Sequence, residues 1–76
     1  MEARILVVDD EKEIADLVEL FLTNEGLQVY KYYTGAEAME CVQTTSLDLA
    51  ILDVMLPDLD GFTLCQRIRE SYTYPI

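Results

Sequence analysis

The stretch LAILDVMLPDLDG, residues 49–61, sets a single aspartate, Asp53, into an otherwise apolar run. A buried, unpaired carboxylate costs far more than one hydrophobic contact returns, so its place there needs a reason. The run leading to it, DLAILDV (48–54), suits a strand buried on both faces. LPDLDG then breaks the strand, with Pro57 and Gly61 as loop punctuation and Asp60 placed to cap a following helix. Leu64, Cys65 and Ile68 form the apolar stripe of that helix, and Arg67 and Arg69 point away from it.

Upstream, the same alternation repeats. ARILVV (3–8) is a second apolar strand, closed by the acid pair Asp9 and Asp10. Ile14, Leu17, Val18 and Phe21 follow the spacing of an amphipathic helix, and Gly26 stands where a helix-ending glycine belongs. LQVYKYY (27–33) is β-branched and aromatic, as strands are. Thr34 and Glu37 form a T-x-x-E capping box for a helix whose buried side is Ala38, Cys41 and Val42. YTYPI (72–76) reads as a loop entering one more strand. The order β-α-β-α-β-α predicts a parallel sheet with helices on its faces.

Composition narrows the function. Seventy-six residues make one small domain or part of one, and 51% apolar content supports a core. A net charge of −10 argues against direct nucleic-acid contact and suits a cation or a basic partner. No apolar run approaches the ~18–20 residues of a membrane span, and no secretory signal opens the chain, so a cytoplasmic location is expected. Without histidine, and with Cys41 and Cys65 in helical apolar patterns, zinc is a poor fit and the cysteines read as small buried thiols. Glu13, Asp16, Glu19, Glu37 and Glu40 read as solvated charge on helix faces. Lys12 is either a solvated lysine or a group within reach of a phosphoryl ligand, and Tyr30, Tyr32 and Tyr33 edge the sheet.

Asp9 and Asp10 close the first strand and Asp53 closes the third, and ligand sites in parallel sheets form at carboxyl strand ends. Were these strands neighbours, three carboxylates would meet, which requires a proton or a cation between them. Oxygen donors suit Mg²⁺ or Mn²⁺. A metal-linked carboxylate of this kind can attack an activated phosphoryl group. Two readings of the acid pair stand side by side: a helix cap, or half of a metal site. Periodicity does not give the strand order.

ILVVDDE (5–11), followed by LDLAILDVMLPDLDG with Asp53, Pro57 and Gly61 at D-x-x-x-P-x-x-x-G spacing, resembles the receiver domain of two-component response regulators. EIADLVELFL, YKYYT and YTYPI further resemble the OmpR-like transcription-regulator class, in particular its vancomycin-resistance type. The resemblance covers essentially the whole chain. It implies a flavodoxin-like fold, here a parallel βαβαβα sheet of strand order 2-1-3 over residues 1–76 as a partial receiver domain. It implies Asp53 as phosphoacceptor, Asp10 and Asp53 as metal ligands, Asp9 acting through water, and the backbone carbonyl of Met55 completing the set. The cofactor implied is Mg²⁺ (or Mn²⁺) and the partner a sensor histidine kinase, with transcription controlled by the intact parent.

A full receiver of this family is longer, so the fourth and fifth strands, with the Ser/Thr and Lys that contact the phosphoryl group, are expected to lie beyond Ile76. The third strand then becomes an exposed apolar edge and one sheet face stays uncovered, which predicts a homo-oligomer. The alternative reading is a self-associating scaffold without competent phosphotransfer. An aspartate-dependent phosphohydrolase would want an acid two residues after the nucleophile, where Met55 stands, so no enzyme is expected.

Overall fold

The computed structural model describes residues 3–53, 55–58, 60–70, 72, 75 and 76. Strand β1 (Arg4–Val8) lies between β2 (Gln28–Tyr32) and β3 (Leu49–Leu52), and both pairings are parallel, giving the order β2-β1-β3. Helices α1 (Lys12–Asn24), α2 (Gly35–Thr44) and α3 (Gly61–Arg69) follow the strands in turn. The expected βαβαβα sheet with neighbouring first and third strands is therefore what the chain forms.

The central strand is the most deeply buried element. Leu6 and Val8 point into a cluster with Ala38, Cys41 and Val42 of α2, Ala50 of β3, and Leu64 and Ile68 of α3. By strand alternation Ile5 and Val7, also buried, face the opposite side, where α1 packs on β1 and β2. Lys31 of β2 joins that side, its Nζ 2.7 Å from Asp16 and 3.0 Å from Glu19 of α1.

Local signals at the helix ends act as read. Gly26 has φ +84°, a left-handed conformation that a residue with a Cβ adopts only with strain, and the amides of Gly26 and Leu27 close the last turn of α1 onto Thr23 and Leu22. Thr34 caps α2 by accepting from the Glu37 amide at 3.3 Å. The Glu37 carboxylate returns to the Thr34 hydroxyl (2.9 Å) rather than to its backbone, so the box closes through side chains. Asp60 caps α3, accepting from the Phe62 amide at 2.9 Å.

Three expectations change. The α1 stripe is not its buried face: Ile14, Leu17 and Phe21 are 45%, 52% and 64% exposed, while Ala15 is fully buried. The helix sits over β1 and β2, which turns Ala15 to the sheet and leaves much of the stripe outside. Asp16 and Glu19 are not merely solvated charges, because Lys31 ties both to β2. Cys65 is half-buried whereas Cys41 is buried, and both are free thiols.

The edge of β3 is also not wholly bare, since the Ala50 amide donates to the Pro75 carbonyl at 3.0 Å. Ser71, Thr73 and Tyr74 fall outside the described residues, so the strand expected over YTYPI is represented there by that one hydrogen bond. Ile51 on the same strand is 40% exposed. Among the described residues no helix is long and apolar enough to cross a membrane.

Candidate functional site

The parallel pairing brings the carboxyl ends of β1 and β3 together. The Asp53 amide donates to the Val8 carbonyl at 2.8 Å, which sets Asp53 beside the residues that leave β1. Asp9 and Asp10 are those residues. One carboxylate oxygen from each of Asp9, Asp10 and Asp53 lies within 4.8 Å of the others, with Asp9 and Asp53 half-buried and Asp10 exposed. This convergence answers why Asp53 follows an apolar run: β3 is not the strand buried on both faces that its sequence suggests, since Ala50 alone of Leu49–Leu52 is buried, and the residue after it, Asp53, opens onto an acidic crevice.

The capping alternative for the acid pair is weak. Asp9 accepts from the Glu11 amide at 2.9 Å, a tight local turn. Glu11 itself is the residue at the helix boundary and makes no side-chain cap. Neither aspartate takes the first-turn amides of α1 that a capping side chain would take.

Asp53 reaches forward as well as across. Its Oδ1 accepts a long bond, 3.4 Å, from the Met55 amide. Met55 and Asp60 then pair as an antiparallel bridge, closing the loop between β3 and α3 at its base. The Met55 side chain is 79% exposed, so it supplies no packing. Asp10, Glu11, Asp53, Met55 and Pro57 line an open depression of about 770 Å³ at this end of the sheet.

The donor set fits a small hard cation. An octahedral Mg²⁺ with oxygen ligands at about 2.1 Å spans about 4.2 Å across, and the three carboxylate oxygens lie within 4.8 Å of one another. Lys12 does not reach into the acids, because its Nζ lies 5.3 Å from the centre of the Tyr33 ring. Tyr33 in turn donates to Asp16 at 3.0 Å, so it ties α1 to the end of β2. Hydrogen bonds from Lys31 and then Tyr33 hold the Asp16 carboxyl below its ordinary value, and the bonds to Asp16 and Glu19 raise the Lys31 amine.

One contact of the site loop escaped the sequence reading. Asp58, at the tip of the loop, accepts from the amides of Gly35 (2.8 Å) and Ala36 (3.0 Å) at the start of α2. Those two bonds depress its carboxyl pKa. The partners lie 23 and 22 residues away, and no local pattern announces them.

Fold and site together define a parallel α/β domain with an acidic, oxygen-only centre at the carboxyl edge of the sheet, astride adjacent strands. The chain belongs to the response regulator receiver domain family, whose model matches residues 5–76. It is 60% identical over its whole length to the regulatory protein VanR of Enterococcus faecium, and 54% identical to VanRc of Enterococcus gallinarum. It spans about a third (33%) of each of those proteins.

Solved structures agree. A two-component response regulator from Clostridium difficile superposes with a TM-score of 0.95 at 33% identity, covering 99% of this chain and 62% of that one. A chain in the complex of histidine kinase ThkA with response regulator TrrA matches at a TM-score of 0.86 and 36% identity, covering 92% and 60%. The protein is thus the receiver part of a two-component response regulator, similar to VanR.

Proposed function

We propose that Asp53 is the phosphoacceptor of this receiver, that a sensor histidine kinase is the donor, and that the step depends on Mg²⁺ (or Mn²⁺). The observation that carries the proposal is the convergence of Asp9, Asp10 and Asp53 at adjacent strand ends. In the transfer, a carboxylate oxygen of Asp53 attacks phosphorus. The bond between phosphorus and the donor histidine nitrogen breaks, and the nitrogen leaves with the electron pair and takes up a proton. The product is an acyl phosphate on Asp53. A bound Mg²⁺ would offset the charge that gathers when a phosphoryl group meets three carboxylates.

In this reading Asp10, Asp53 and the Met55 carbonyl hold the cation and Asp9 acts through water. Asp53 is oriented by its place at the end of β3 and by the Met55 amide. The added charge then biases neighbouring elements, and in a longer parent located in the cytoplasm it would control transcription. The role is that of a signalling module rather than an enzyme.

Incubation with acetyl phosphate and Mg²⁺, read by intact mass and peptide mapping, tests the assignment. One phosphoryl group on Asp53, absent without Mg²⁺ and in Asp53→Asn, is expected. Modification at another residue, or labelling indifferent to Mg²⁺, refutes it.

A second reading, self-association, is favoured by a separate observation. Leu17, Leu20, Phe21 and Ile51 are all at least 40% exposed, on α1 and on the edge strand β3. A second copy of the chain would bury these side chains and pair the β3 edge. Sedimentation velocity at tens of micromolar is expected to give a dimer, and a monodisperse monomer removes this reading.

A further inference from the structure

The loop that carries Met55 is held at more points than a surface connection of its length needs. Its base is closed by the Met55–Asp60 bridge. One arm is tied to Asp53 through the Met55 amide, and the other runs into the capped first turn of α3. Its tip is fastened by Asp58 to a different part of the chain, the N-terminus of α2.

The fastening is bidentate and chemically matched. Oδ1 of Asp58 takes the Gly35 amide and Oδ2 takes the Ala36 amide. These are the first two donors of α2, which have no partner within the helix. The next donor, the Glu37 amide, goes to the Thr34 hydroxyl, and the Ala38 amide goes to the Thr34 carbonyl. The Ala38 bond is the first within the helix, so of the amides that a helix leaves open at its start those of Gly35, Ala36 and Glu37 are occupied, two by Asp58 and one by the Thr34 hydroxyl. Gly35 is buried, so water is a poor replacement at that amide. The positive end of the α2 dipole meets the Asp58 charge, which favours the contact further.

We propose that Asp58 is a positioning residue of the site: its clasp on α2 holds the 55–60 loop so that the Met55 carbonyl stays beside Asp53. This rests on the metal-assisted reading of Asp53 given above, and adds to it a specific support from outside the acidic cluster. The bland alternative is that Asp58 only stabilises α2. The two differ in what moves when the clasp is released. A pure helix cap leaves the loop unchanged, whereas a positioning clasp frees Met55.

The test compares Asp58→Ala and the milder Asp58→Asn with Thr34→Ala, which weakens the α2 cap without touching the loop. The probe is Mg²⁺ alone at fixed ionic strength, with affinity read by calorimetric titration, and amide hydrogen exchange read on the metal-free proteins by NMR. Supporting residues around a metal typically change affinity by 10–100-fold when lost, so Asp58→Ala is expected to weaken Mg²⁺ binding about tenfold. Asp58→Asn is expected to fall between Asp58→Ala and the unsubstituted chain, and Thr34→Ala to match the unsubstituted chain. Exchange at the Met55 amide is expected to quicken in Asp58→Ala and not in Thr34→Ala. Equal Mg²⁺ affinity in both variants, with unchanged Met55 exchange, overturns the proposal. If the unsubstituted chain binds no Mg²⁺, the metal reading itself fails. The clasp is then judged on Met55 exchange alone: faster exchange confined to the Asp58 variants sustains it, and no difference ends it. Should Asp58→Ala not fold, Asp58→Asn carries the same comparison.

Discussion

Replacing Leu64 by alanine tests whether α3 is anchored as the core describes. Leu64 is fully buried, at 0% exposure, in a cluster with Leu6, Val8, Ala38, Val42, Ala50 and Ile68. The substitution removes three carbons from a closed apolar site, about 2.4 kcal/mol of lost transfer free energy at ~0.8 kcal/mol each. A residual cavity adds to this, and leucine-to-alanine changes in well-packed cores cost about 2.7–5.0 kcal/mol. About 3 kcal/mol is expected here, because α3 is short and can settle partly into the gap. A domain of this size has a total stability of about 4–11 kcal/mol, so the loss is a large share of it. Urea unfolding followed by far-ultraviolet circular dichroism reads the effect. With a slope of about 1 kcal/mol per molar, the midpoint is expected to drop by roughly 3 M at constant slope. Leu20→Ala is the control, since Leu20 is 57% exposed and its loss is expected to change stability by about 0.5 kcal/mol or less. A Leu64→Ala effect below about 1 kcal/mol, or no larger than that of Leu20→Ala, would refute the packing of α3 on the sheet.

Other expectations concern charge. Two unit charges 4.8 Å apart repel by about 1 kcal/mol even in water, so Asp10→Asn, which removes two of the three contacts in the acid cluster, is expected to raise the metal-free melting midpoint; a drop would mean that the carboxylates do not meet. Lys31→Met removes the group that holds Asp16 and Glu19 to β2, and hydrogen exchange in β2 and the middle of α1 is expected to quicken while Mg²⁺ binding stays unchanged. Asp58 has a depressed pKa from its two amide bonds, so its stabilisation is fully present above the ordinary value of 3.8 and is lost as pH falls through the lower folded-state value. Acid unfolding curves of Asp58→Asn are therefore expected to be shallower between 3.8 and that lower value than those of the unsubstituted chain, and coincident curves would deny the clasp its charge.

What could be read along the chain depended on how far apart the partners lie. Gly26, Thr34 and Asp60 act on amides within a few residues, so their roles follow from spacing alone. The continuous apolar run of β1 announces a strand covered on both sides, and its neighbours cover it. The meeting of Asp9, Asp10 and Asp53 needed the strand order, which periodicity does not contain and which the receiver resemblance supplied. Helical spacing identified α1 but not its rotation: both Ala15 and the larger apolar residues fit a stripe, and the position over β1 and β2 selects Ala15. Asp16, Glu19 and Asp58 look like ordinary surface acids in sequence because Lys31, Gly35 and Ala36 reach them only after the sheet has assembled.

The most direct test of the acidic centre is a thermal melt with and without Mg²⁺ at fixed ionic strength, for the unsubstituted chain and for Asp53→Asn. A ligand stabilises the state that binds it, and Mg²⁺ at ten times its dissociation constant contributes about 1.4 kcal/mol. For a domain of this size that corresponds to a rise of about 6 °C or more in a cooperative transition, and Asp53→Asn is expected to lose most of it. A midpoint that ignores Mg²⁺, or one that rises equally in Asp53→Asn, would contradict the convergence of Asp9, Asp10 and Asp53 on one cation.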